Sequence, residues 1–272
     1  KIIMKLILFS GTHPRHLYVN SKILKHFNEC LIIAMDRKGL MPEIPKKLNQ
    51  HDKNLFIKHF KNRRKVELKT FGNLRAEEVF SNHETIYVSD ENLNTKKIAN
   101  RIKKFKPNFC FIFGTKMILE PIFSILPKDK INLHLGLSPW YKGSATLFWP
   151  FFHLEPQFCG TTFHQITKEA DAGEIIHQCV PKLSKGDKIH DVSAKCVIKA
   201  AIDLSKIIKH WNKSGNFNGK IQKISGRNWR EKDFNPSHLR IIYDLFNDKI
   251  VDKYLYGYFN QKKPKIISCI KK

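Results

Sequence analysis

Residues 109–143 read FCFIFGTKMILEPIFSILPKDKINLHLGLSPWYKG, and this stretch decides the fold. The apolar run FCFIFG predicts a central buried strand, and KINLHL predicts the next strand. Between them, PIFSIL predicts a short helix that ends at Pro127. Asn132 and His134 are two residues apart, so their side chains should point to the same face of the second strand. One donates hydrogen bonds and the other titrates near neutral pH, which makes the pair a candidate for chemistry.

Strands and helices alternate along the rest of the chain. The N-terminal part predicts a buried strand over 2–9, a loop over 10–16, a helix over 17–27 and a strand over 30–35. Further strands are predicted over 85–89, 159–166 and 174–181, with helices over 94–107 and 190–211. This alternation is typical of an α/β fold with a mostly parallel sheet.

Three segments do not fit the alternation simply. Residues 37–75 are polar and basic with helical character, which predicts a long surface insertion. A helix over 145–154 is expected to end or kink at Pro150. The residues after the long helix predict a small hairpin over 220–229 and then two short helices. We therefore expect a main domain over 1–211, with the basic insertion at about 37–75, and a small C-terminal extension over 212–272.

Composition excludes several classes of protein. With 272 residues, of which 42% are hydrophobic, the chain should be globular rather than disordered. No apolar run approaches the roughly 20 residues that span a bilayer, so a membrane partner is not expected. The start, KIIMKLILFSG, lacks the small-residue cleavage site of a secretory signal. Six scattered cysteines without a C-x-x-C pair predict neither disulfides nor a zinc cluster, and so indicate the reducing cytoplasm.

The charge is strongly positive and admits three explanations. Lys and Arg number 49 against 24 Asp and Glu, a formal net charge of +25. This surplus fits a nucleic-acid binder, an enzyme for phosphorylated or nucleotide-linked substrates, or a plain lysine bias. Arg clusters interleaved with aromatic residues, which favour base stacking, are missing. Nucleic acid is therefore the least favoured partner, although it stays open.

Asn132 and His134 need a third polar partner, and Asp171 in KEADAGEII is the best candidate. An acidic side chain there would hold the imidazole and favour its charged form. Asn and His can stabilise negative charge that grows on a carbonyl oxygen. Because no Ser or Cys nucleophile is required, the pattern points to direct acyl transfer between two bound ligands. A metal site of His134, His164 and Asp171 is an alternative, without support from a compact H-E-x-x-H motif.

Three segments together resemble the folate-dependent formyltransferases. KINLHLGLSPWYKGSATLFW (130–149) is similar to the family's Asn-x-His signature, GTKMILEPIF (114–123) to the loop before it, and ITKEADAGEIIHQ (166–178) to its Asp loop. The resemblance covers about 109–180. It departs from the family at Gly136-Leu137-Ser138-Pro139, where the family has Ser-Leu-Leu-Pro, and at Lys142, where Arg is usual.

The resemblance implies a Rossmann-like formyltransferase fold that uses 10-formyltetrahydrofolate as co-substrate and no metal. Residues 1–211 would be the catalytic domain of such an enzyme. The implied catalytic residues are Asn132, His134 and Asp171. The implied folate-binding residues are Gly114, Met117, Ile118, Leu119, Ala170 and Gly173, and the acceptor-binding residues are His13, Arg15, Tyr141 and Lys142.

Each branch of the family has a sequence feature that goes with its acceptor, and these features narrow the choice of acceptor. Glycinamide ribonucleotide formyltransferases carry a Gly-Ser-Asn-type phosphate loop, and this chain has GTHPRH (11–16) there. Methionyl-tRNA formyltransferases carry a C-terminal β-barrel, for which the last 61 residues are too few and wrongly patterned. The remaining branch formylates nucleotide-linked amino sugars, whose phosphates Arg15 and Lys142 would meet.

Other functions stay open. The basic charge keeps a tRNA acceptor as the alternative. A non-catalytic binding protein would not need Asn132, His134 and Asp171 together, and all three are present. A hydrolase that releases formate would keep the same three residues but normally has an additional N-terminal domain. A homodimer is compatible with all of these functions.

Overall fold

The computed structural model describes residues 4–36, 41–169, 171–223 and 226–270. Its strands are β1 (Lys5–Gly11), β2 (Glu29–Met35), β3 (Glu84–Val88), β4 (Phe109–Phe113), β5 (Asp129–His134), β6 (Tyr141–Gly143), β7 (Thr161–Gln165), β8 (Ile175–Cys179) and β9 (Arg227–Trp229). Its α-helices are α1 (Pro14–Ile23), α2 (Gln50–Phe71), α3 (Ala76–Val79), α4 (Lys96–Phe105), α5 (Trp149–Phe152), α6 (Ile189–Ser214) and α7 (Ile250–Leu255).

Seven strands form one twisted layer in the order β3-β2-β1-β4-β5-β7-β8. The first five are parallel, whereas β7 runs antiparallel to β5 and β8 antiparallel to β7. β4, the predicted central strand, is the middle strand of the seven. The predicted α/β fold with a mostly parallel sheet is therefore confirmed.

Both faces of the sheet are covered, which explains why its strands read as continuous apolar runs. Along β1, Leu6 and Leu8 enter the core shared with α1 and α6, while Ile7 and Phe9 enter the core shared with α4. All four side chains are fully buried. α6 spans 26 residues and ends before Gly215, whose φ of +71° suits a left-handed cap.

The expected surface insertion contains a helix that packs on the domain. α2 buries Leu55, Phe56, Phe60 and Phe71, and it packs against α6 and α1. Asn49 caps its N-terminus by accepting a hydrogen bond from the Asp52 N–H at 2.9 Å. The insertion itself stays a prediction. On α2, charged residues of the exposed face are more numerous than the apolar residues of the narrow buried stripe.

Two local predictions also needed correction. Pro150 lies in the first turn of α5, where its missing N–H costs nothing, so it starts this helix instead of ending it. The expected hairpin over 220–229 does not form in its described part. Its last three residues form β9, which pairs in parallel with β6. Gly226 permits this pairing, because a Cβ there would lie 1.5 Å from the Pro139 carbonyl oxygen.

The C-terminal residues after β9 form short helical segments. They comprise two 3₁₀ turns, a π-helical turn over Ile241–Leu245, and α7. The domain boundary at residue 212 stays a prediction. Among the described residues, every helix is too short or too polar to cross a membrane. The cytoplasmic location also stays a prediction.

Candidate active site

The polar centre of the molecule is built on the carboxyl half of β5. Asn132 and His134 lie on the same face of this strand, as their spacing predicts. In the antiparallel register with β7, Asn132 lies directly opposite His164. The Asn132 amide nitrogen Nδ2 is 3.0 Å from His164 Nε2 and can donate a hydrogen bond to it. Strand pairing therefore brings a second imidazole into the centre.

Asp171 joins this group from the loop between β7 and β8. Its backbone has a φ of +52°, which a non-glycine residue adopts at some cost in strain. Its Oδ2 lies 3.4 Å from His134 Nδ1, and its Oδ1 lies 3.3 Å from His164 Nε2. The N–H of Gly143, in β6, donates to Oδ2 at 3.0 Å. One carboxylate thus connects both imidazoles to the β6–β9 pair.

The contacts of Asp171 decide its ionisation. Burial alone would raise the pKa of its carboxyl group. Attraction to the protonated form of His134, the contact with His164 and the Gly143 N–H together outweigh burial, and they hold the pKa well below its usual range. Asp171 is therefore a carboxylate at neutral pH.

The imidazole of His134 is neutral at rest. Burial lowers its pKa below the ordinary value of 6.5, and the opposing attraction of Asp171 offsets only part of this effect. Its Nε2 lies 3.1 Å from the Tyr141 carbonyl oxygen and donates to it. The lone pair of the neutral ring is then at Nδ1, beside Asp171. His134 can accept a proton there, because the carboxylate stabilises the resulting positive charge.

Gly136 makes this orientation of His134 sterically feasible. A Cβ at residue 136 would lie 2.3 Å from His134 Nε2 and 2.6 Å from the Tyr141 carbonyl oxygen. Both distances are far below ordinary contact. The departure from Ser-Leu-Leu-Pro at this residue therefore has a structural cause: the imidazole and its acceptor occupy the space that a side chain would need.

These residues line a cleft of about 1040 Å³. This volume is at the upper end of the roughly 300–1,000 Å³ of a typical small-ligand site. The predicted site residues on its wall are Arg15, Gly114, Met117, Ile118, Asn132, His134 and Asp171. Ala170 lies outside the described residues. His13, Leu119, Tyr141, Lys142 and Gly173 do not line this cleft.

Most of the residues off the cleft have other contacts. The Tyr141 side chain is buried, and its hydroxyl donates to Glu155 instead of facing a ligand. The Leu119 N–H donates to Asn94 Oδ1 at 2.8 Å. Lys142 pairs with Asn228 in the β6–β9 ladder. Tyr141 contributes to the centre through its main chain, as the acceptor for His134.

Gly173 and His13 are held by packing away from the cleft. Gly173 belongs to a close backbone crossing, because a Cβ there would lie 1.8 Å from the Gln165 carbonyl oxygen. His13 precedes α1, and its ring stacks on that of His16 with 5.4 Å between centroids. Neither residue lines the cleft. Their roles in ligand binding stay predictions.

The sequence did not identify part of the cleft wall. His164 entered only as a metal ligand, although it lies seven residues before Asp171 and faces Asn132. From α2, Arg63 and Glu67 line the cleft, and from α6 His190 does so. Alternation along β7 was a signal for His164. No sequence signal marked the helical residues, because their position depends on how α2 packs.

The metal alternative is not favoured by the geometry of the described residues. There, one set of three candidate ligand atoms lies within 4.8 Å of one another: those of His177, Cys179 and Asp203. Asp203 already bonds His177 Nε2 at 3.0 Å and the ammonium group of Lys199. His134 and His164 instead both face the Asp171 carboxylate, as in an acid–base group.

Comparison with known families agrees with this geometry. The family model for formyl transferases matches residues 36–205, which is more than half of the chain and contains Asn132, His134 and Asp171. The chain therefore belongs to the formyl transferase family, and the predicted class of enzyme, a one-carbon transferase, is confirmed.

Solved structures of formyltransferases share the fold. A sugar N-formyltransferase from Shewanella sp FDAARGOS_354 is 14% identical with a TM-score of 0.58, over 88% of this chain and 87% of that one. An N-formyltransferase from Helicobacter canadensis, in complex with folinic acid and dTDP-3-aminofucose, is 18% identical with a TM-score of 0.55, over 93% and 82%. Phosphoribosylglycinamide formyltransferase from Anaplasma phagocytophilum is 16% identical with a TM-score of 0.54, over 85% and 97%.

Proposed function

We propose that this protein transfers the formyl group of 10-formyltetrahydrofolate to the amine of a nucleotide-linked amino sugar. The observation that carries the proposal is the grouping of Asn132, His134 and Asp171 on the wall of one cleft. Family membership supplies the reaction class. The catalytic roles of Asn132, His134 and Asp171 are part of the proposal.

The folate co-substrate suits one part of this wall. The segment after β4 offers the main chain of Gly114 together with the apolar side chains of Met117 and Ile118, and Ile166 adds another apolar group. Apolar walls with a few main-chain hydrogen-bonding groups are typical of sites for flat heterocycles. The Helicobacter canadensis protein, which binds folinic acid, supports the same use of the fold.

The reaction needs a carbonyl oxygen to be stabilised and a proton to be moved. The neutral amine attacks the formyl carbon, a new N–C bond forms, and the bond from that carbon to the folate nitrogen breaks. Asn132 donates an amide N–H to the carbonyl oxygen as negative charge grows there. His164, which contacts the same amide, fixes its orientation.

His134 takes the proton that the amine must lose. Because burial keeps this imidazole neutral, it acts first as a proton acceptor at Nδ1 and not as a charged donor. The Asp171 carboxylate stabilises the imidazolium that forms. The proton then returns to the folate nitrogen, so atoms and charges balance over the cycle.

The described residues give no support to the other acceptors of the family. After α6, the described chain contains one three-residue strand, β9, and no barrel. At the end of β1 the chain turns directly into α1 through His13 and Pro14. A positively charged protein whose cleft contains arginine side chains fits an acceptor that carries phosphates.

A competition assay tests the proposal. Purified protein is incubated with 10-formyltetrahydrofolate and, in separate reactions, dTDP-, UDP- and GDP-linked amino sugars or methionyl-tRNA. We expect an N-formylated product from at least one of the nucleotide-linked amino sugars with the wild type. The Asn132→Ala variant should give no such product. Formylation of the tRNA alone would reject the sugar acceptor and make the net charge of +25 an RNA-binding feature.

A further inference from the structure

A second part of the cleft wall lies at the crevice where the strand order reverses. β1 and β4 are neighbours in the sheet, with β2 following β1 on one side and β5 following β4 on the other. Ligands of open α/β sheets bind outside the carboxyl ends of the strands at such a point. Here the crevice is bordered by α1, which begins just after β1, and by α2 and α6.

Side chains, not main-chain amides, face a ligand in this crevice. The His16 ring lies directly over Gly11 and Gly114, since a Cβ on either glycine would come within 2.3 Å and 2.5 Å of it. The ring also packs edge-on against Phe113, with 4.7 Å between centroids. An anion entering here must therefore be bound by the neighbouring side chains.

Two guanidinium groups share one carboxylate beside this ring. Glu67 Oε1 accepts from Arg15 Nη1 at 3.0 Å and from Arg63 Nε at 2.9 Å. The three side chains are only 18%, 21% and 13% exposed for Arg15, Arg63 and Glu67. Burial raises the pKa of Glu67, but the two guanidinium groups lower it by more than burial raises it. The Glu67 carboxylate therefore keeps its negative charge. The three together carry one net positive charge.

The net positive charge of this group is available to a ligand at the Arg63 guanidinium group. This side chain uses Nε for Glu67, and its terminal groups Nη1 and Nη2 have no hydrogen-bond partner within the described part of the chain. The two terminal groups form the edge of the guanidinium plane, whose donors match two oxygens of a phosphate or carboxylate. Glu67 positions this edge by fixing the other side of the plane.

The imidazoles of the same wall do not supply charge. Burial, reinforced by Arg63, lowers the pKa of His190 to about 3. Burial, with His190 and Arg63, also holds the pKa of His59 well below its ordinary value. Both rings are neutral at pH 7, so the positive charge beside them comes from Arg15 and Arg63.

We propose that Arg63 and Arg15, held by Glu67, form an oxyanion subsite that binds one phosphate of the acceptor's diphosphate. One net positive charge matches the single negative charge of one phosphate in a sugar-linked diphosphate. A sugar carboxylate offers the same chemistry, and the experiment separates the two sources. The identity of the acceptor rests on the proposed function, whereas anion binding by this wall does not.

The test measures ligand affinity in variants by titration calorimetry. Arg63→Met removes the charge, and Arg63→Lys keeps the charge but loses the planar edge. Arg64→Met, on the exposed face of the same helix, is the matched control. The probes are UDP, dTDP and GDP for phosphate, glucuronate for carboxylate, and 5-formyltetrahydrofolate for the folate site.

We expect a nucleoside diphosphate to bind the wild type and the Arg64→Met variant equally. Arg63→Met should weaken its binding by at least ~10-fold, and Arg63→Lys by less. The affinity for 5-formyltetrahydrofolate should not change in any variant, which also shows that each variant is folded.

Three results would reject the phosphate subsite. They are equal diphosphate affinity in wild type and Arg63→Met, no diphosphate binding to the wild type at all, and binding of glucuronate alone in an Arg63-dependent way. Failure of the proposed function looks different: the wild type would then not bind 5-formyltetrahydrofolate, while Arg63-dependent diphosphate binding could persist.

Discussion

The substitution Gly136→Ala tests whether the orientation of His134 controls the rate. A Cβ at residue 136 would lie 2.3 Å from His134 Nε2, whereas ordinary contact begins at 3.4 Å. The Tyr141 carbonyl, at 2.6 Å, belongs to the backbone of β6 and yields less easily than a side chain. The imidazole must therefore move by about 1 Å, and a displacement of that size can cost ~100-fold in rate.

The same substitution should also reduce stability. Overpacking of a buried site costs about 1–3 kcal/mol, and the hydrogen bond from His134 to the Tyr141 carbonyl, worth about 1 kcal/mol, is strained or lost. Gly215→Ala is the matched control for stability. Its φ of +71° disfavours alanine by about 1–2 kcal/mol, yet a Cβ there meets nothing within 4 Å.

Single-turnover formyl transfer at saturating concentrations of both substrates, together with thermal unfolding, separates the two effects. We expect kcat of Gly136→Ala to fall about 100-fold, while Gly215→Ala loses stability and keeps its kcat. A folded Gly136→Ala variant with the turnover of the wild type would show that the rate does not depend on the position of His134.

Three further predictions concern the same centre. His134→Asn and Asn132→Ala should each lower kcat by at least ~100-fold, the scale for a lost acid–base or oxyanion group; steady-state turnover near that of the wild type in either folded variant removes that residue from the mechanism. In Asp171→Asn the attraction that opposes the lowering of the His134 pKa is gone. The pKa therefore drops further, so the acid limb of the kcat–pH profile should move to lower pH while the plateau falls; an unmoved limb would mean that His134 does not set it. Finally, 5-formyltetrahydrofolate should raise the melting temperature of the wild type, because it binds only the native state; calorimetry without binding at millimolar ligand would contradict the folate site.

Much of the fold could be predicted because its signals are local. Buried parallel strands such as β1 and β4 are short apolar runs bounded by polar turns, and their two covered faces leave no ambiguity about burial. α6 carries a long helical pattern that ends at Gly215. The pairing of β9 with β6 could not be predicted, because it joins residues about 85 positions apart and depends on close backbone contacts at Gly226 and Gly143.

The candidate site was predictable where chemistry and strand periodicity coincide. Asn132 and His134 share a face because of their spacing, and the Asp171 loop follows β7, the strand that pairs with β5. The sequence did not indicate that Tyr141 would contribute its carbonyl to the centre, because this contact depends on how β6 lies against His134. Arg63 and Glu67 were not recognised, because the packing of α2 on α6 determines which face of α2 lines the cleft.

The transfer of a labelled formyl group is the most direct test of the central proposal. 10-Formyltetrahydrofolate carrying ¹³C in its formyl group is incubated with the protein and each nucleotide-linked amino sugar, and all products are followed by ¹³C NMR and mass spectrometry. We predict that the label moves to the amine of one sugar nucleotide in the wild type, and remains on the folate with Asn132→Ala or His134→Asn. Label that accumulates as free formate, while every acceptor is recovered unmodified, would contradict formyl transfer and identify a hydrolase.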